Sequence, residues 1–536
     1  MPASIFTAWT EYPSDPLTFP LDSANLIEDY FPCTIYDADS FSGHGDAVLY
    51  KMWCQGKDLS NVANIALCYS SDGINWTLQS EAVLTGVAVG VRPSHPFVLY
   101  DPNGFGGGPY YYKMWYWDLG RATVLTNTLT VQSAESVDGI TWTTPVANTQ
   151  DATQFLANTN STGNTPFYQL DGFGTVIYNP DATSTPGQPF SFPYAVFFDM
   201  AAFHATSHYF EAVGLAYSSD GLHWFRYGTS PVLTPSTNTA DWDGAYEYRA
   251  SVLKLAGDGM YHMYYSGSNG VNSPNTLNYA HGIGHAMSAD GINWTKDPSN
   301  PIFIITDGVA WRVNHVLAPS VVFAPINTCA NQLQMWFSGG DTNSNKRMGY
   351  ATLCIPPVVV SLDPNSGFTF GGNTVNITGD FFTGTTSVLF GSIPVTSFVV
   401  NSENSITVIA PPGVAGMVDV TVVATDETSA ITPADIYTYT LAPTPLSPFN
   451  FTGVIKKKKS SNKTEYVLKA KWDTSLSANI VQYRIYKYGK MIKEISATSP
   501  LDFRRHVRRS SPKGYKITAV DSFNQESSPM RLRIVH

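Results

Sequence analysis

One seven-residue pattern, Ser-x-Asp-Gly-x-x-Trp, occurs four times within the first 300 residues of the chain. Its copies are Ser70–Trp76, Ser136–Trp142, Ser218–Trp224 and Ser288–Trp294. An Asp-Gly pair between two β-type segments predicts a hairpin turn, because glycine accepts positive φ and aspartate accepts hydrogen bonds from nearby amides. The four tryptophans lie 66, 82 and 70 residues apart, so the chain repeats one supersecondary unit of about seventy residues.

Each repeat contains the same order of predicted strands. A short apolar strand is followed by a Gly/Asp-rich turn and then by an aromatic strand, such as Tyr50–Trp53, Tyr112–Trp115 or Tyr261–Tyr265. A third strand leads into the Asp-Gly turn, and the tryptophan begins a fourth strand. Four short antiparallel strands of this kind, rich in aromatic residues, predict a blade of a β-propeller.

A fifth copy lacks its fourth strand. It comprises Ala318–Phe323, Leu333–Phe337 and Met348–Ala351, with no Asp-Gly turn after it. The N-terminal segment Ala8–Phe19 matches Asn293–Ile304 at five of twelve positions, so we predict that it supplies the missing strand. Residues 1–355 are therefore predicted to form a five-bladed β-propeller closed by the N-terminal strand, which leaves no exposed sheet edge.

The residues before the innermost strand of each blade should line the propeller axis. These strands begin at Cys33, Phe97, Thr175, Ser251 and Ser320. We compare the position that lies five residues before the second residue of each strand. In chain order, this position is occupied by Asp29, Pro93, Asp171, Glu247 and Val316. Three carboxyl groups at one register position are candidates for acid–base chemistry, and nearby Arg92, His95, Arg249 and His315 are candidates for substrate binding.

Residues 5–354 resemble the five-bladed glycoside hydrolases and transferases of families 32, 43, 68 and 130 in the order of strands, turns and Asn-Pro closures. The resemblance implies a carbohydrate substrate, with Asp29 as base, Asp171 as modulator and Glu247 as acid. Hydrolysis of a glycosidic bond by this mechanism needs one protonated and one ionised carboxyl group. The resemblance implies no required cofactor and no catalytic metal, but it allows a calcium ion on the axis near His315.

Two departures from that family leave an alternative open. The acids Asp29, Asp171 and Glu247 lie one or two residues further from the position where the family has its proline, and the family's Asp-Pro opening is absent. The turn is also one residue shorter than the sialidase Asp-box, which argues against a sialidase. The alternative is a non-catalytic glycan-binding, adhesion or structural protein of a cell surface or virion.

The remaining residues predict two β-sandwiches. Residues 358–440 resemble an IPT/TIG immunoglobulin-like domain through Leu362–Gly367, Gly371–Gly379 and Ala410–Gly413. Residues 446–536 resemble a fibronectin type III domain through Tyr466–Trp472 and Tyr515–Asp521. This combination predicts an all-β chain in which the sandwiches provide spacing or attachment.

Charge is divided unequally along the chain. Residues 446–536 hold 19 Lys and Arg against 6 Asp and Glu, a net charge of +13, while residues 1–445 hold 12 against 36, a net charge of −24. We place basic loops at Lys456–Lys459 and Arg504–Arg509, and we expect them to contact a polyanion or an acidic protein surface, although solvated turns are an alternative.

The remaining sequence signals concern location. The chain contains no long apolar segment, so we expect no transmembrane segment. Because only 14% of its residues are charged, we expect an extracellular or surface-exposed location, although no signal peptide is visible. Cys329 and Cys354 are expected on one rim of the propeller, where a disulfide would secure the chain's exit, although the redox compartment stays open.

Overall fold

The structure is a computed structural model. It describes residues 3–22, 30–41, 48–57, 63–85, 92–119, 128–150, 169–185, 187–203, 209–228, 230–238, 240–269, 282–305, 308–325, 329–341, 346–425, 427–461, 463–508 and 513–535. These residues are all-β. Short 3-10 turns occur at Ala3–Thr7, Pro20–Asp22, Phe105–Gly107, Pro189–Ser191, Ala310–Arg312 and Pro433–Asp435. Among the described residues, no helix has the length and apolarity that a membrane crossing requires.

The strands before residue 355 form antiparallel units. In chain order they are β1 (Thr10–Glu11), β2 (Tyr30–Tyr36), β3 (Tyr50–Lys57), β4 (Ala63–Ser70), β5 (Trp76–Thr85), β6 (Arg92–Tyr100), β7 (Tyr112–Leu119), β8 (Thr128–Ser136), β9 (Val146–Gln150), β10 (Gln169–Tyr178), β11 (Tyr194–Phe203), β12 (Tyr209–Ser218), β13 (His223–Arg226), β14 (Tyr246–Lys254), β15 (Tyr261–Ser268), β16 (Gly282–Ser288), β17 (Thr295–Lys296), β18 (Phe303–Ile304), β19 (His315–Phe323), β20 (Gln332–Gly340) and β21 (Lys346–Cys354). The units are β2–β5, β6–β9, β10–β13, β14–β18, and β19–β21 together with β1.

The first strands of these units touch one another in cyclic order. Strand β2 contacts β6, β6 contacts β10, β10 contacts β14, β14 contacts β19, and β19 contacts β2. Neighbouring units are also linked at two parallel bridges, His223 with Thr149 and Glu211 with Tyr246. The first strands therefore lie next to one another, and a site between them is built from all of them.

The N-terminal segment is part of the last unit. Strand β1 pairs antiparallel with β21, with Thr10 opposite Thr352 and Glu11 opposite Ala351. The Arg312 guanidinium donates to both carboxylate oxygens of Glu11, with Nε at 3.1 Å and Nη2 at 2.9 Å. Phe6 is fully buried in the core of this unit.

Deletion of residues 1–19 should therefore leave the edge of β21 unpaired and uncover the core around Phe6, Leu17 and Phe19. Burial of three such side chains contributes about 5 kcal/mol or more to the free energy of unfolding. We expect a lower melting temperature and binding of a hydrophobic dye at ambient temperature, compared with a control that lacks only residues 1–2. Identical melting of the two proteins would contradict this assignment of the segment.

The four repeated turns share one hydrogen-bond arrangement, seen for example at Asp72. The Ser70 hydroxyl accepts the amide of Gly73 at 2.9 Å, and one Asp72 carboxylate oxygen accepts the amides of Ile74 and Asn75 at 2.9 and 2.7 Å. The glycine has a φ of 73–79° in all four copies. These bonds satisfy the loop amides, which accounts for the serine and the aspartate without any role in binding.

Tryptophans of the second strand connect consecutive units through these same turns. Trp53 donates to the Gly139 carbonyl at 3.1 Å, Trp115 to Gly221 at 2.8 Å, and Trp336 to Gly73 at 2.8 Å. In each case the indole of one unit bonds to the turn of the next unit, and the last unit bonds to the first. The turn glycine also lies against the neighbouring ring, because a Cβ atom there would be 2.9–3.0 Å from the indole at Gly73, Gly139 and Gly221.

Residues 358–440 form a two-sheet sandwich. Its strands are β22 (Val358–Asp363), β23 (Ser366–Phe368), β24 (Thr374–Asp380), β25 (Thr385–Phe390), β26 (Ile393–Pro394), β27 (Phe398–Ser402), β28 (Ser405–Ile409), β29 (Gly416–Ala424) and β30 (Ile436–Thr440). The sheets are β22-β24-β28-β27 and β23-β30-β29-β25-β26. The sandwich docks through Phe381, which is 1% exposed, joins the core that contains Phe6, and packs so closely on Gly257 that a Cβ atom there would clash.

The terminal sandwich contains β31 (Phe449–Ser460), β32 (Lys463–Asp473), β33 (Ile480–Lys487), β34 (Lys490–Ser496), β35 (Asp502–Val507), β36 (Tyr515–Asp521), β37 (Met530–Arg531) and β38 (Arg533–Ile534). Its sheets are β35-β32-β31-β38 and β34-β33-β36-β37. The prediction of basic loops was wrong in one respect. Lys456–Lys459 belong to β31, and Arg504 to Val507 belong to β35, because both segments pair antiparallel with β32.

Cysteine placement agrees with the sequence-based expectation for one pair. Cys329 and Cys354 form a disulfide that links the start of β20 to the end of β21, where the chain leaves the last unit. Cys33, Cys54 and Cys68 are buried thiols. The disulfide thus secures the exit of the chain toward the first sandwich.

Candidate functional site

Four of the first strands carry a non-glycine residue in the left-handed region at the same position. These residues are Phe31 (φ 59°), His95 (φ 53°), Arg249 (φ 54°) and Ala318 (φ 56°). Each lies at a register shift of its strand, and in the remaining unit Phe173 lies at such a shift. Non-glycine residues adopt this conformation at a cost of about 1–3 kcal/mol, so its repetition marks a constrained site.

These five residues line one cavity of about 160 Å³. The cavity is bounded by all five first strands, and its wall also includes Cys33, Thr175 and Ser320. Each of the three predicted acids precedes a residue of the cavity wall by two positions: Asp29 precedes Phe31, Asp171 precedes Phe173, and Glu247 precedes Arg249.

Arg249 is the charged group of the cavity wall. Its guanidinium pairs with the buried Asp199 carboxylate at 2.6 Å, and Asp199 also accepts the Arg249 amide at 2.8 Å. The guanidinium carbon lies 5.1 Å from the centre of the Phe31 ring and 5.6 Å from the Trp117 ring. Burial raises the pKa of Asp199, and the Arg249 cation opposes that rise. The guanidinium is therefore fixed in orientation while part of it still faces the cavity.

His95 packs within the same aromatic group. Its ring centre lies 3.6 Å from that of Phe31 and 5.2 Å from that of Trp117, and Nδ1 is 2.8 Å from the Ser94 hydroxyl. Burial, with the Arg249 cation second, holds the pKa of His95 well below its usual range. A neutral imidazole can both donate and accept hydrogen bonds, which suits recognition of a hydroxyl group.

Replacing Asp199 by alanine should destabilise the protein by about 3–5 kcal/mol, because it leaves the buried Arg249 guanidinium without a counter-charge. Thermal unfolding of the variant measures this loss. The double variant Asp199→Ala/Arg249→Met is the matched control and should recover a large part of the stability, since no unpaired charge remains. Equal destabilisation in both variants would show that lost packing, and not lost pairing, causes the effect.

Glu247 does not line the cavity. Its side chain is fully buried and forms an ion pair with Lys296 on β17, whose Nζ also lies 2.7 Å from the Asp243 carboxylate. Tyr265 donates its hydroxyl to the same Asp243 oxygen at 3.3 Å. Burial raises the pKa of Glu247 to about 8, against the opposing effect of Lys296. Two carboxyl groups thus share one ammonium, and one retained proton balances the charge of the group.

The remaining predicted site residues are Asp29, Asp171, Arg92 and His315. Asp29 lies outside the described residues, while Asp171 and Arg92 are described only as backbone positions of β10 and β6. His315 is buried at the start of β19, and its Nδ1 lies 2.9 Å from the Lys346 ammonium. Burial, with Lys346 second, lowers the pKa of His315 to about 3.

The surroundings of His315 do not fit a calcium ion. Calcium takes six to eight oxygen ligands, whereas the group next to this imidazole is the Lys346 ammonium, which would repel a cation. In the described parts of the chain, no three His, Cys, Asp or Glu side chains form a metal-binding cluster. We derive no step that uses calcium.

Sequence reasoning missed the partners of the site. Asp199 and Trp117 belong to second strands, where aromatic and apolar residues are expected to serve packing. Lys296 follows the fourth Asp-Gly-Trp turn, in the fourth strand of its repeat, where the sequence predicted no site residue. One available signal was the unusual Asp199 within an otherwise apolar strand, because a buried carboxylate requires a cationic partner.

Comparison with protein families identifies one part of the chain. Residues 357–440 match the model of the IPT/TIG domain. This segment is an IPT/TIG domain. Its boundaries coincide within one residue with the sandwich β22–β30, and the two-sheet topology is that of an immunoglobulin-like fold. No curated protein matches the chain.

Solved structures similar to this chain include carbohydrate-processing enzymes. A glycosyl hydrolase from Bacteroides ovatus has a TM-score of 0.41 and 13% identity, and the match covers 64% of this chain and 93% of that chain. An N-acetylgalactosamine deacetylase from F. plautii in complex with blood group B trisaccharide has a TM-score of 0.42 and 15% identity, covering 64% and 92%. A thermostable family-43 glycoside hydrolase has a TM-score of 0.36 and 15% identity, covering 61% and 88%. These similarities are too distant to assign an activity to this chain.

Proposed function

We propose that residues 1–355 close into a five-bladed β-propeller that acts on a poly- or oligosaccharide as a glycoside hydrolase. One observation carries the proposal: five residues at one register position line a single cavity, and Asp29, Asp171 and Glu247 stand two residues before three of them. The cyclic contacts of β2, β6, β10, β14 and β19, together with the pairing of β1 and β21, support the closed ring.

The assignment of roles follows from charge. Glu247 is the proposed proton donor, because burial raises its pKa to about 8 and keeps the carboxyl group protonated at neutral pH, as a general acid requires. This role requires the side chain to turn from Lys296 toward the cavity when a substrate binds. Asp29 is the base that activates water or attacks the sugar, and Asp171 is the modulator. Arg92, His95, Arg249 and His315 are the proposed substrate-binding residues. Of these, His95 and Arg249 line the cavity, and the neighbouring Phe31 and Phe173 rings offer apolar surface for a sugar face.

Activity assays test this proposal directly. Wild-type protein is incubated with arabinan, xylan, fructan and mannoside substrates, and released sugar is compared with that from Asp29→Asn and Glu247→Gln. We expect release from at least one substrate and its loss in both variants. Release that persists in both variants would rule out these residues as the catalytic pair.

A second candidate function is non-catalytic glycan binding in an adhesion or structural protein. The observation that favours it is the burial of Glu247 and its pairing with Lys296, which separate the carboxyl group from the cavity. Glycan-array binding without sugar release, unaffected by Glu247→Gln but weakened by Arg249→Met, would support this candidate over the hydrolase.

The sandwiches and the disulfide suggest how the protein is used. The IPT/TIG domain and the fibronectin-like terminal domain, residues 446–536, are proposed as spacing and attachment modules, the latter through its basic residues. The Cys329–Cys354 disulfide supports an extracellular or surface-exposed location, because disulfides persist in oxidising environments.

A further inference from the structure

The outer face of the sheet β35-β32-β31-β38 collects basic side chains from three adjacent strands. Val454 of β31 lies opposite Lys469 of β32, which lies opposite Arg504 of β35. Successive side chains of a strand point to opposite faces, so these positions and every second residue from them share one face. The buried Leu468 and Phe503 side chains and the partly buried Ile455 side chain occupy the other face. The outer face therefore carries Lys456, Lys458, Lys469, Lys471, Arg504 and His506.

The spacing of these groups is set by sheet geometry. Alternate residues of a strand lie about 7 Å apart, and neighbouring strands lie about 4.8 Å apart. Lys456, Lys471 and Arg504 are exposed, and Lys469 lies between them half-buried. The neighbouring cations, Arg504 before Lys456, lower the pKa of Lys469, so these charges repel one another. Like charges at adjacent cross-strand positions destabilise a sheet, and a bound anion would relieve that repulsion.

The face carries few acids to offset the cations. Asp502 lies 3.5 Å from Arg504 Nε, and Glu465 lies 3.7 Å from His506 Nδ1. Asp502 is paired with Lys471 toward one end of the face, and Glu465 is paired with Lys458 toward the other end. The middle of the face is therefore positive, and an extended anionic chain can cross the strands there.

The composition of the face separates the possible ligands. It offers no Phe, Tyr or Trp side chain among its described positions, whereas single-stranded nucleic acid binding uses aromatic stacking. Protein interface cores are depleted in lysine and enriched in aromatic residues. Membrane-surface binding uses large apolar anchors, whereas the apolar residues at the paired positions of this face are only Val454 and Val467. Lysines act as flexible point charges that suit irregularly spaced anionic groups.

We propose that this face, centred on Lys456, Lys469 and Arg504, binds a linear sulfated polysaccharide. The ligand lies across β31, β32 and β35, and its sulfate groups contact the ammonium and guanidinium groups without a fixed register. The inference concerns the terminal sandwich alone and stands whether or not the propeller is an enzyme.

Binding of the full chain to heparin and to dextran sulfate, measured from about 50 to 300 mM salt, tests the proposal. The variant Lys456→Gln/Lys469→Gln/Arg504→Gln should bind at least about tenfold more weakly at low salt, with a salt slope reduced by about two to three. The matched control Lys490→Gln/Lys493→Gln/Arg531→Gln removes the same charges from exposed positions outside this face, and its affinity should stay within about twofold of wild type.

Four results would overturn the proposal, the last of them concerning desulfated heparin. The first is failure of the wild-type chain to bind either polymer at low salt. The second is an equal loss in the two triple variants, which would mean that net charge and not this face determines binding. The third is equal or tighter binding of duplex DNA or of vesicles containing phosphatidylserine, which would assign the face to another partner. Desulfated heparin should bind much more weakly than heparin, and equal binding would likewise contradict a sulfate ligand.

Discussion

Replacing Trp336 by alanine should lower the free energy of unfolding by about 3–5 kcal/mol, the range observed for buried tryptophan truncations. The Trp336 indole is fully buried, packs against Tyr50 and Trp76, and donates to the Gly73 carbonyl across the boundary between the last and first units. For a domain of this size the loss corresponds to a fall in melting temperature of about 4–7 °C. Calorimetry or circular dichroism on heating measures it.

Trp142→Ala is the control for this experiment. Its indole is only partly buried and bonds to Gly139 within the turn of its own unit, so its removal should cost less. Trp336→Ala should also make the N-terminal segment more sensitive to limited proteolysis, because that segment pairs with the same unit. A Trp336→Ala protein as stable as the Trp142→Ala protein would show that the boundary contributes little to the fold.

Replacing Glu247 by glutamine should reduce kcat/KM by about 10²–10⁴, the contribution of a positioned general acid. If wild-type protein hydrolyses the substrate as proposed, its activity should fall as pH rises through about 8, where Glu247 loses its proton. The pH–activity profile of wild-type protein and the residual rate of the variant are the measurements. Less than tenfold loss in the variant would exclude Glu247 as the acid and assign proton donation to another group.

The pH dependence of the free energy of unfolding tests the protonation of Glu247 independently of activity. The pKa of Glu247 rises from 4.5 to about 8 on folding, so the folded state keeps a proton that the unfolded chain releases between these values. The stabilisation linked to that proton is complete below about pH 4.5 and is lost as pH rises through about 8. Glu247→Gln should flatten this part of the stability profile. An unchanged profile would show that another group retains the proton.

The repeat could be recognised from sequence because its signals are local. Each Ser-x-Asp-Gly-x-x-Trp copy contains its own turn chemistry, so Asp72 and Gly73 could be assigned without knowledge of their neighbours. The second role of the glycine, as acceptor and contact surface for a tryptophan of the preceding unit, depends on packing between units. No local pattern contains that information, since Trp336 and Gly73 are 263 residues apart.

The site was predicted only in part for a similar reason. Register counting led to the end of the first strands where each strand shifts its register at or beside a left-handed residue, and simple alternation fails there. Arg249 therefore lines the cavity, whereas Glu247, two residues earlier, is buried against Lys296. Asp199 reaches Arg249, and Lys296 reaches Glu247, from other strands, and their positions follow from sheet pairing rather than from sequence spacing.

The pairing of β1 with β21 has a consequence for the order of events during synthesis. The partners Thr10 and Thr352 are separated by 342 residues, so at about 5–20 residues per second the first strand waits about 20–70 s for its partner to leave the ribosome. During that interval Phe6 has no complete core to enter, because Phe381 and β21 do not yet exist. Folding of the first four units can precede release, but the last unit is completed only after Cys354 at the end of β21 has been made. A chaperone that holds the nascent N-terminus should therefore raise the yield of this protein more than one that acts after termination.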